Sequence, residues 1–520
     1  MQISERYDVI CVGGTFSSYL AAAILSTAGC RVLVIDPQEG CVPHDVDGRT
    51  IFDPDLTPIW GLEFDSSLSR TLSNLGILGT PDALPYVSLG GLSQVLNPAH
   101  RVKLSFDSNK LLQELKLEIP DSHGVLTELF EKLVQAAHEI PRYSSLVQNP
   151  AQMASQELAK TLKFWGVYGA AALGKDQALH DLLGKKSSIA NAFLSGLIAT
   201  LGPVSSKNVG TEQVLRTLSV AIRGQAFWRG GVESLKATLR RVAVQNGTHL
   251  VLRAQVDGLL YEKDRVRGVQ LSSYDGVVFA DYTILTTHLR KTYQTLPSVV
   301  ADPTVMRSLN RVVPSHWRYT IAVSLNRDVI PVGATELMSY IGSYKLELEE
   351  ENLLRIVVVP EGVYVDADTP DTVTVHVTAL VPYRVSSLDY GYLRRLGGKM
   401  LHALAEIIPF FEYNVVSMYP DIRKDDRDLR ALYPFDRREW VSEDLLSYYV
   451  RGGQECQAFA GVSWATPHEH ENLYFAGRAA LPSLGVFGEA VVTEKIVKDL
   501  LSPVRWKAPP EPTVLKESSL

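Results

Sequence analysis

The chain opens on an apolar run, Tyr7-Asp8-Val9-Ile10-Cys11-Val12, that leads into the small-residue turn Gly13-Gly14-Thr15-Phe16-Ser17-Ser18. Short runs of this kind bounded by glycine predict a buried strand. Tyr19 to Thr27, rich in alanine and leucine, predicts a helix, and Arg31-Val32-Leu33-Val34-Ile35-Asp36 predicts a second strand ending on an acid. The opening is therefore expected to be a β-α-β unit from Tyr7 to Asp36.

From about Leu92 to Arg223 the pattern changes period. Leu111 to Leu115, Val125 to His138, Gln152 to Trp165 and Thr211 to Ile222 carry apolar residues at helical spacing, which predicts a helix-rich insertion. The glycine pair in Phe227-Trp228-Arg229-Gly230-Gly231 breaks the pattern, and Val232 to Ala243 predicts another helix. His249 to Leu252, Gly258 to Glu262, Val266 to Leu271 and Val277 to Leu285 read as strands of a small antiparallel meander with turn residues between them. A second mixed region, Thr292 to Tyr449, holds strands at Tyr319 to Leu325, Leu354 to Val359 and Val373 to Leu380, and a helix from Tyr390 to Ile407. Near the end a strand at Asn472 to Gly477 precedes a helix from Gly488 to Leu501, and the proline-bearing tail after Ser502 has no apolar period. No repeat of fixed period stands out, which argues against a solenoid or propeller.

Composition changes this picture little. At 520 residues the chain exceeds one ordinary core, so two or three domains are expected, interleaved or in series. A net charge of −7 gives no cationic footprint for nucleic acid. Four scattered cysteines, Cys11, Cys30, Cys41 and Cys456, suit neither a metal site nor a disulfide framework and point to a reducing cytoplasm. The start, Met1 to Arg6, lacks the basic and apolar segments of a signal peptide. Ile189 to Leu201 is apolar but interrupted by Asn191, Ser195, Gly196 and Thr200, and it is shorter than the roughly 20 residues of a spanning helix. A buried helix is expected there, with peripheral contact to a bilayer as the alternative.

The opening turn carries the main chemical signal. A helix that starts after a tight turn presents unpaired N–H groups and a positive dipole end to a pyrophosphate. Asp36, at the end of the second strand, is placed to accept ribose hydroxyls. Thr15 and Ser18 stand where G-x-G-x-x-G has its second and third glycines. Their hydroxyls, with that of Ser17, are expected to donate to phosphate oxygens.

Further segments, in order, carry a family resemblance. Val251-Leu252-Arg253-Ala254-Gln255-Val256, the hairpin Gly258 to Leu271, Asp281 to Thr287 and Leu473-Tyr474-Phe475-Ala476-Gly477-Arg478 resemble FAD-dependent oxidoreductases of the phytoene desaturase and amine oxidase type. Asp47-Gly48 before Phe52-Asp53, Leu96-Asn97-Pro98-Ala99-His100-Arg101-Val102, Gly230-Gly231 with Leu235, and Pro482 to Gly488 are similar to segments of the phytoene desaturase branch. The resemblance covers most of the chain and implies an α/β fold, a Rossmann-type FAD/NAD(P)-binding domain with an interleaved α+β substrate domain. It implies FAD-binding segments 1–91, 225–291 and 455–502, substrate-domain segments 92–224 and 292–454, and a flexible tail 503–520. It also implies roles: Gly13, Gly14, Thr15, Phe16, Ser17 and Ser18 on the pyrophosphate, Asp36 on the ribose, and the Val256 backbone on the adenine. Gly477 and Arg478 fall by the ribityl phosphate, and Gly485 and Val486, within the segment to Gly488, by the flavin ring. The implied reaction is hydride transfer between flavin and an isoprenoid, polyene or lipid, by a desaturase, saturase or isomerase, with no catalytic residue identified.

The departures keep a second reading open. The G-G-R-type sequence after the acid is replaced by Gly40-Cys41-Val42-Pro43-His44-Asp45, and Arg478 replaces a small or acidic residue. Rab escort proteins and GDP-dissociation inhibitors (GDIs) resemble the same opening without redox chemistry, so a holder of a lipidated partner, or a flavin-free scaffold subunit, is the alternative. His468-Glu469-His470 offers two histidines at i, i+2 and no third ligand, so no metal is expected. His44, His100 and His288 are individual proton-transfer candidates. Trp60, Trp165 and Trp228 suit an apolar tunnel or an ordinary core.

Overall fold

A computed structural model describes residues 6–37, 44–46, 49–52, 56–63, 65–79, 84–91, 93–105, 107–121, 188–201, 223–262, 265–272, 277–286, 312–348, 350–364, 371–382, 390–423, 447–450, 472–477 and 484–502, with short pieces between 123 and 131 and between 217 and 221. The opening unit is β1 (Arg6–Val12), α1 (Phe16–Thr27) and β2 (Val32–Asp36). A hairpin of β3 (His44–Val46) and β4 (Arg49–Phe52), then β5 (Ile59–Trp60), α2 (Ser67–Asn74) and β6 (Tyr86–Ser88) follow. Next come β7 (Ser93–Asn97), β8 (His100–Leu104), α3 (Ser108–Glu118), α4 (Ser188–Leu201), β9 (Gln225–Trp228) and α5 (Gly231–Gln245). The strands β10 (His249–Leu252), β11 (Val256–Glu262), β12 (Arg265–Leu271) and β13 (Val277–Leu285) complete the first half. The second half holds β14 (Val312–Asn326), β15 (Leu337–Ile341), β16 (Leu353–Val358), β17 (Thr372–Pro382), α6 (Tyr390–Ile407), β18 (Val415–Tyr419), β19 (Ser447–Val450), β20 (Leu473–Phe475) and α7 (Gly485–Leu500).

The first sheet runs β10-β2-β1-β13-β12-β11, with β20 also on β13. Strands β10, β2, β1, β13 and β20 are mutually parallel, and β11-β12 returns antiparallel from the start of β13. Register aligns Val12 with Ile35 and Leu285, Asp36 with Leu252, and Leu285 with Phe475, so the carboxyl ends share one edge. Ligands of open parallel sheets bind beyond this edge. Helix α1 packs between α5 and α7. Its Ala21, Ala22 and Ala23 have no exposed surface, and their small side chains let it sit close to the sheet and both helices.

The expectation of a meander beginning at His249 is corrected. β10 pairs parallel with β2, so the chain that leaves the sheet after β2 crosses back through α5 to rejoin it on that strand. The antiparallel part is β11-β12-β13 alone. Two helices begin three residues before their expected starts, α1 at Phe16 and α7 at Gly485, so Phe16, Ser17 and Ser18 form a first helical turn rather than loop.

The second sheet runs β18-β14-β17-β16-β15-β7-β8, with β19 also on β14, and only β15 and β7 pair in parallel. Tyr319, Ile321, Val323 and Leu325 of β14 share a core with Leu393, Leu396, Met400 and Leu404 of α6 on one face. Helix α4 packs on β15 and β7. Its Phe193, Leu194, Leu197 and Ile198 are fully buried, each stabilising the fold by about 1.5–3 kcal/mol relative to exposure. Gly196 permits the approach, since a Cβ there would lie 2.6 Å from Ile341 Cδ1. The expected buried helix is thus present, and no described helix is long and apolar enough to cross a membrane. The expected helix at 152–165, most of that at 211–222, and the tail after Ser502 lie outside the described residues.

Candidate functional site

The site begins where β1 ends. Gly13 has φ +119°, a conformation that glycine adopts without a Cβ penalty, and its N–H donates to the Ile35 carbonyl at 2.8 Å. Thr15 is the N-cap of α1 and its hydroxyl accepts from the Ser18 N–H at 3.3 Å, satisfying one orphan donor of the first turn. Ser17 donates to Glu489 Oε2 at 3.1 Å, and the Ser18 and Thr286 hydroxyls lie 2.7 Å apart. Thr286 in turn donates to the Val12 carbonyl at 3.0 Å. Phe16, Ser17 and Ser18 are all buried. The Ser17 and Ser18 hydroxyls therefore serve the protein interior rather than a phosphate, while the Thr15 hydroxyl, which only accepts here, keeps its own O–H.

Asp36 is buried at the end of β2, and the Tyr19 hydroxyl donates to its Oδ2. Burial, and then the adjoining carboxylate, push the Tyr19 phenol well above its ordinary range, so it remains a donor. The same carboxylate leans over the turn: a Cβ on Gly14 would lie 2.0 Å from Asp36 Oδ1. Gly14 is glycine because the acid occupies the space of a side chain. The Ala254 N–H approaches the Asp36 carbonyl at 3.5 Å, and Arg253 adopts φ +55°. Val256, half-buried, then opens β11 opposite Leu271. Val256 thus follows Asp36 closely in space, two residues beyond the Ala254 contact.

The closing segment reaches the same edge. Gly477, at φ +111°, follows β20, and a Cβ there would lie 2.8 Å from the Thr286 carbonyl oxygen. Arg478 lies outside the described residues. Helix α7 starts at Gly485, φ +51°, where no described residue comes within 4 Å of a Cβ, and Leu484 gives it no side-chain cap. Its first-turn N–H groups are a ready partner for an anionic group. Val486 and Phe487 are buried, and Gly61 lets the β5 loop pass close, since a Cβ there would lie 2.6 Å from the Phe487 ring.

Some polar residues had not been singled out from the sequence. Burial raises the pKa of Glu63, whose carboxyl accepts from the Ser88 hydroxyl and the Gln225 backbone. Gly224, φ +134°, makes room for it, with the Cβ position 2.6 Å from Glu63 Oε2. Arg318 and Arg355 sit inside strands of the second sheet. A charged residue alternating with large apolar ones, as in Leu354-Arg355-Ile356, is the signal that marks them. Burial pushes the Cys11 and Cys30 thiols up to about 12, so neither is a nucleophile at neutral pH. Among the described residues no His/Cys/Asp/Glu group is arranged to hold a metal. His100 stacks on Tyr344, while His288, Trp165 and the His468-Glu469-His470 segment lie outside the described residues.

The backbone fits a dinucleotide such as FAD. The positive-φ glycines Gly13 and Gly477 lie at the carboxyl edge, and among the described residues nothing caps the α7 start or fills the space beside Gly485. Glu489 is the departure in charge, a buried carboxylate bonded to the first turn of α1.

This fold is similar to that of putrescine oxidase, cyclohexylamine oxidase and Rab GDI. An oxidoreductase from Methanosarcina mazei is 15% identical, with a TM-score of 0.62 over 94% of this chain and 100% of its own. Putrescine oxidase, solved with putrescine bound, is 16% identical, with a TM-score of 0.61 over 95% of this chain and 99% of its own. Rab GDI from Plasmodium falciparum is 12% identical, with a TM-score of 0.50 over 96% and 98%. No family model and no curated relative matches the sequence.

Proposed function

We propose that the chain is a FAD-dependent oxidoreductase. The observation that supports this most is the start of α7, which no described residue caps, tied through Glu489 and Ser17 to the first turn of α1 at one sheet edge. In this reading the backbone from Gly13 to Ser18 holds the pyrophosphate, Asp36 the ribose and Val256 the adenine. Gly477 with Arg478 takes the ribityl phosphate, and Gly485 with Val486 borders the flavin. Bound flavin supplies reversible hydride acceptance. The chain's own part is to orient the ring, exclude water and favour negative charge at the α7 N-terminus. The domain division expected from the sequence is adopted, as are an apolar isoprenoid, polyene or lipid substrate and a cytoplasmic location.

A second reading, a non-catalytic holder of a lipidated partner, is favoured by Glu489. Its carboxylate already occupies hydrogen-bonding distance of the α1 turn. One absorbance spectrum of the purified protein, followed by titration with FAD, separates the two. A flavin spectrum that bleaches on reduction is expected. A colourless protein that takes up no FAD overturns the first reading and leaves the second.

A further inference from the structure

The two faces of the second sheet differ in chemistry. The face toward α6 is apolar, whereas the opposite face carries Arg318 and Thr320 on β14, Thr378 on β17, Arg355 on β16 and Ser339 on β15. Register places these on one side: Thr378 opposes both Thr320 and Arg355, and Ser339 also opposes Arg355. The Thr320 and Thr378 hydroxyls are 2.8 Å apart, and Thr200 of α4 meets Ser339 at 2.5 Å.

We propose that this face binds the carboxylate of an anionic small molecule, with Arg355 as its principal cation, Arg318 as the second and the Thr378 hydroxyl beside them. Arg355 Nε is closed off from solvent and has no hydrogen-bond partner among the described residues. The contact of its guanidinium with the Leu56 carbonyl, at 3.4 Å, is long. No carboxylate among the described residues forms an ion pair with Arg355. Burial, and then the like charge of Arg318, push the Arg355 pKa down to about 9, so the Arg355 guanidinium is electrostatically unsatisfied as it stands. A guanidinium fork matches a carboxylate in shape and charge.

Access coincides with the cations. Arg318, Thr320 and His376 are buried, but the register partners Arg355 and Thr378 both keep partial exposure, as do Thr57 and Pro58 beside Leu56. Solvent therefore reaches this face at the Arg355–Thr378 pair. That the bound anion is the substrate, a lipid or isoprenoid ending in a carboxylate, rests on the oxidoreductase reading; the binding itself does not.

The test is calorimetric titration of the purified full chain with octanoate and with octanamide, which has the same chain and no charge. Octanoate is expected to bind and octanamide to bind at least tenfold more weakly. Arg355→Met should lose octanoate affinity by roughly 30-fold or more, and Arg355→Lys should keep part of it. A thermal melt of Arg355→Met without ligand should match or exceed the wild type, because an unpaired buried charge is replaced by an apolar chain. Equal binding of the two probes, no binding of either, or unchanged octanoate affinity in folded Arg355→Met would overturn the site. Octanoate binding by a protein that takes up no FAD would leave the site standing and remove its role in oxidation.

Discussion

The Ser17 hydroxyl donates to the Glu489 carboxylate across 472 positions of sequence, at 3.1 Å and out of contact with solvent. This bond joins the first turn of α1 to the second turn of α7. It also sets a negative charge against a helix N-terminus, where the dipole favours it and where a phosphate would otherwise be the favoured anion.

Glu489→Gln keeps a hydrogen-bond acceptor for Ser17 and removes the charge. FAD affinity is expected to rise about tenfold, ~1.4 kcal/mol, as a like charge near the phosphates is lost. Titration followed by flavin fluorescence measures it; weaker binding would place the pyrophosphate away from α1.

Thr15→Gly releases the Ser18 N–H that the threonine hydroxyl now caps. The fold should lose only a few tenths of a kcal/mol, as glycine is itself a tolerated N-cap. FAD affinity should rise roughly threefold to tenfold as one more backbone donor becomes available. Urea melts and flavin titration of the same preparation give both numbers, and a fall in affinity would show the hydroxyl to be a ligand in its own right.

Gly14→Ala drives a methyl into the Asp36 carboxylate and is expected to destabilise the fold by ~1–3 kcal/mol. In an Asp36→Ala background the same change should cost much less, a coupling that a double-mutant cycle reads directly. Additive effects would mean that the acid moves aside freely.

Burial raises the Glu63 pKa in the folded chain above its unfolded value. The folded state therefore holds the proton longer, and this contribution to stability is complete below the unfolded pKa and lost as pH rises through the folded one. Glu63→Gln should flatten that decline across the weakly acidic range in a series of urea melts. A variant whose pH profile overlays the wild type would show that Glu63 is as well solvated folded as unfolded.

The parts of the fold legible in the sequence are those whose partners are near in the chain. The run Tyr7 to Val12, the alanine-rich helix and the strand ending on Asp36 announce themselves because buried parallel strands are almost wholly apolar. β10 did not, since nothing in His249 to Leu252 records that its neighbour is Val32 to Asp36. The glycines of the candidate site were visible as glycines. The directions of the Ser17 and Ser18 hydroxyls were not, because their partners Glu489 and Thr286 stand 472 and 268 positions away. Arg318 and Arg355 were hidden similarly: each looks like an isolated charge in a strand until β17 places both on one face.

The late arrival of β20 and α7 has a consequence for biosynthesis. Thr283 to Leu285 of β13 pair with Leu473 to Phe475, and α1 packs against α7, so the first sheet cannot close until those late segments have left the ribosome. Until then β13 presents an unpaired edge and α1 a bare alanine face, both invitations to association. A nascent chain stalled before Asn472 would therefore be a client for chaperones rather than a smaller working protein.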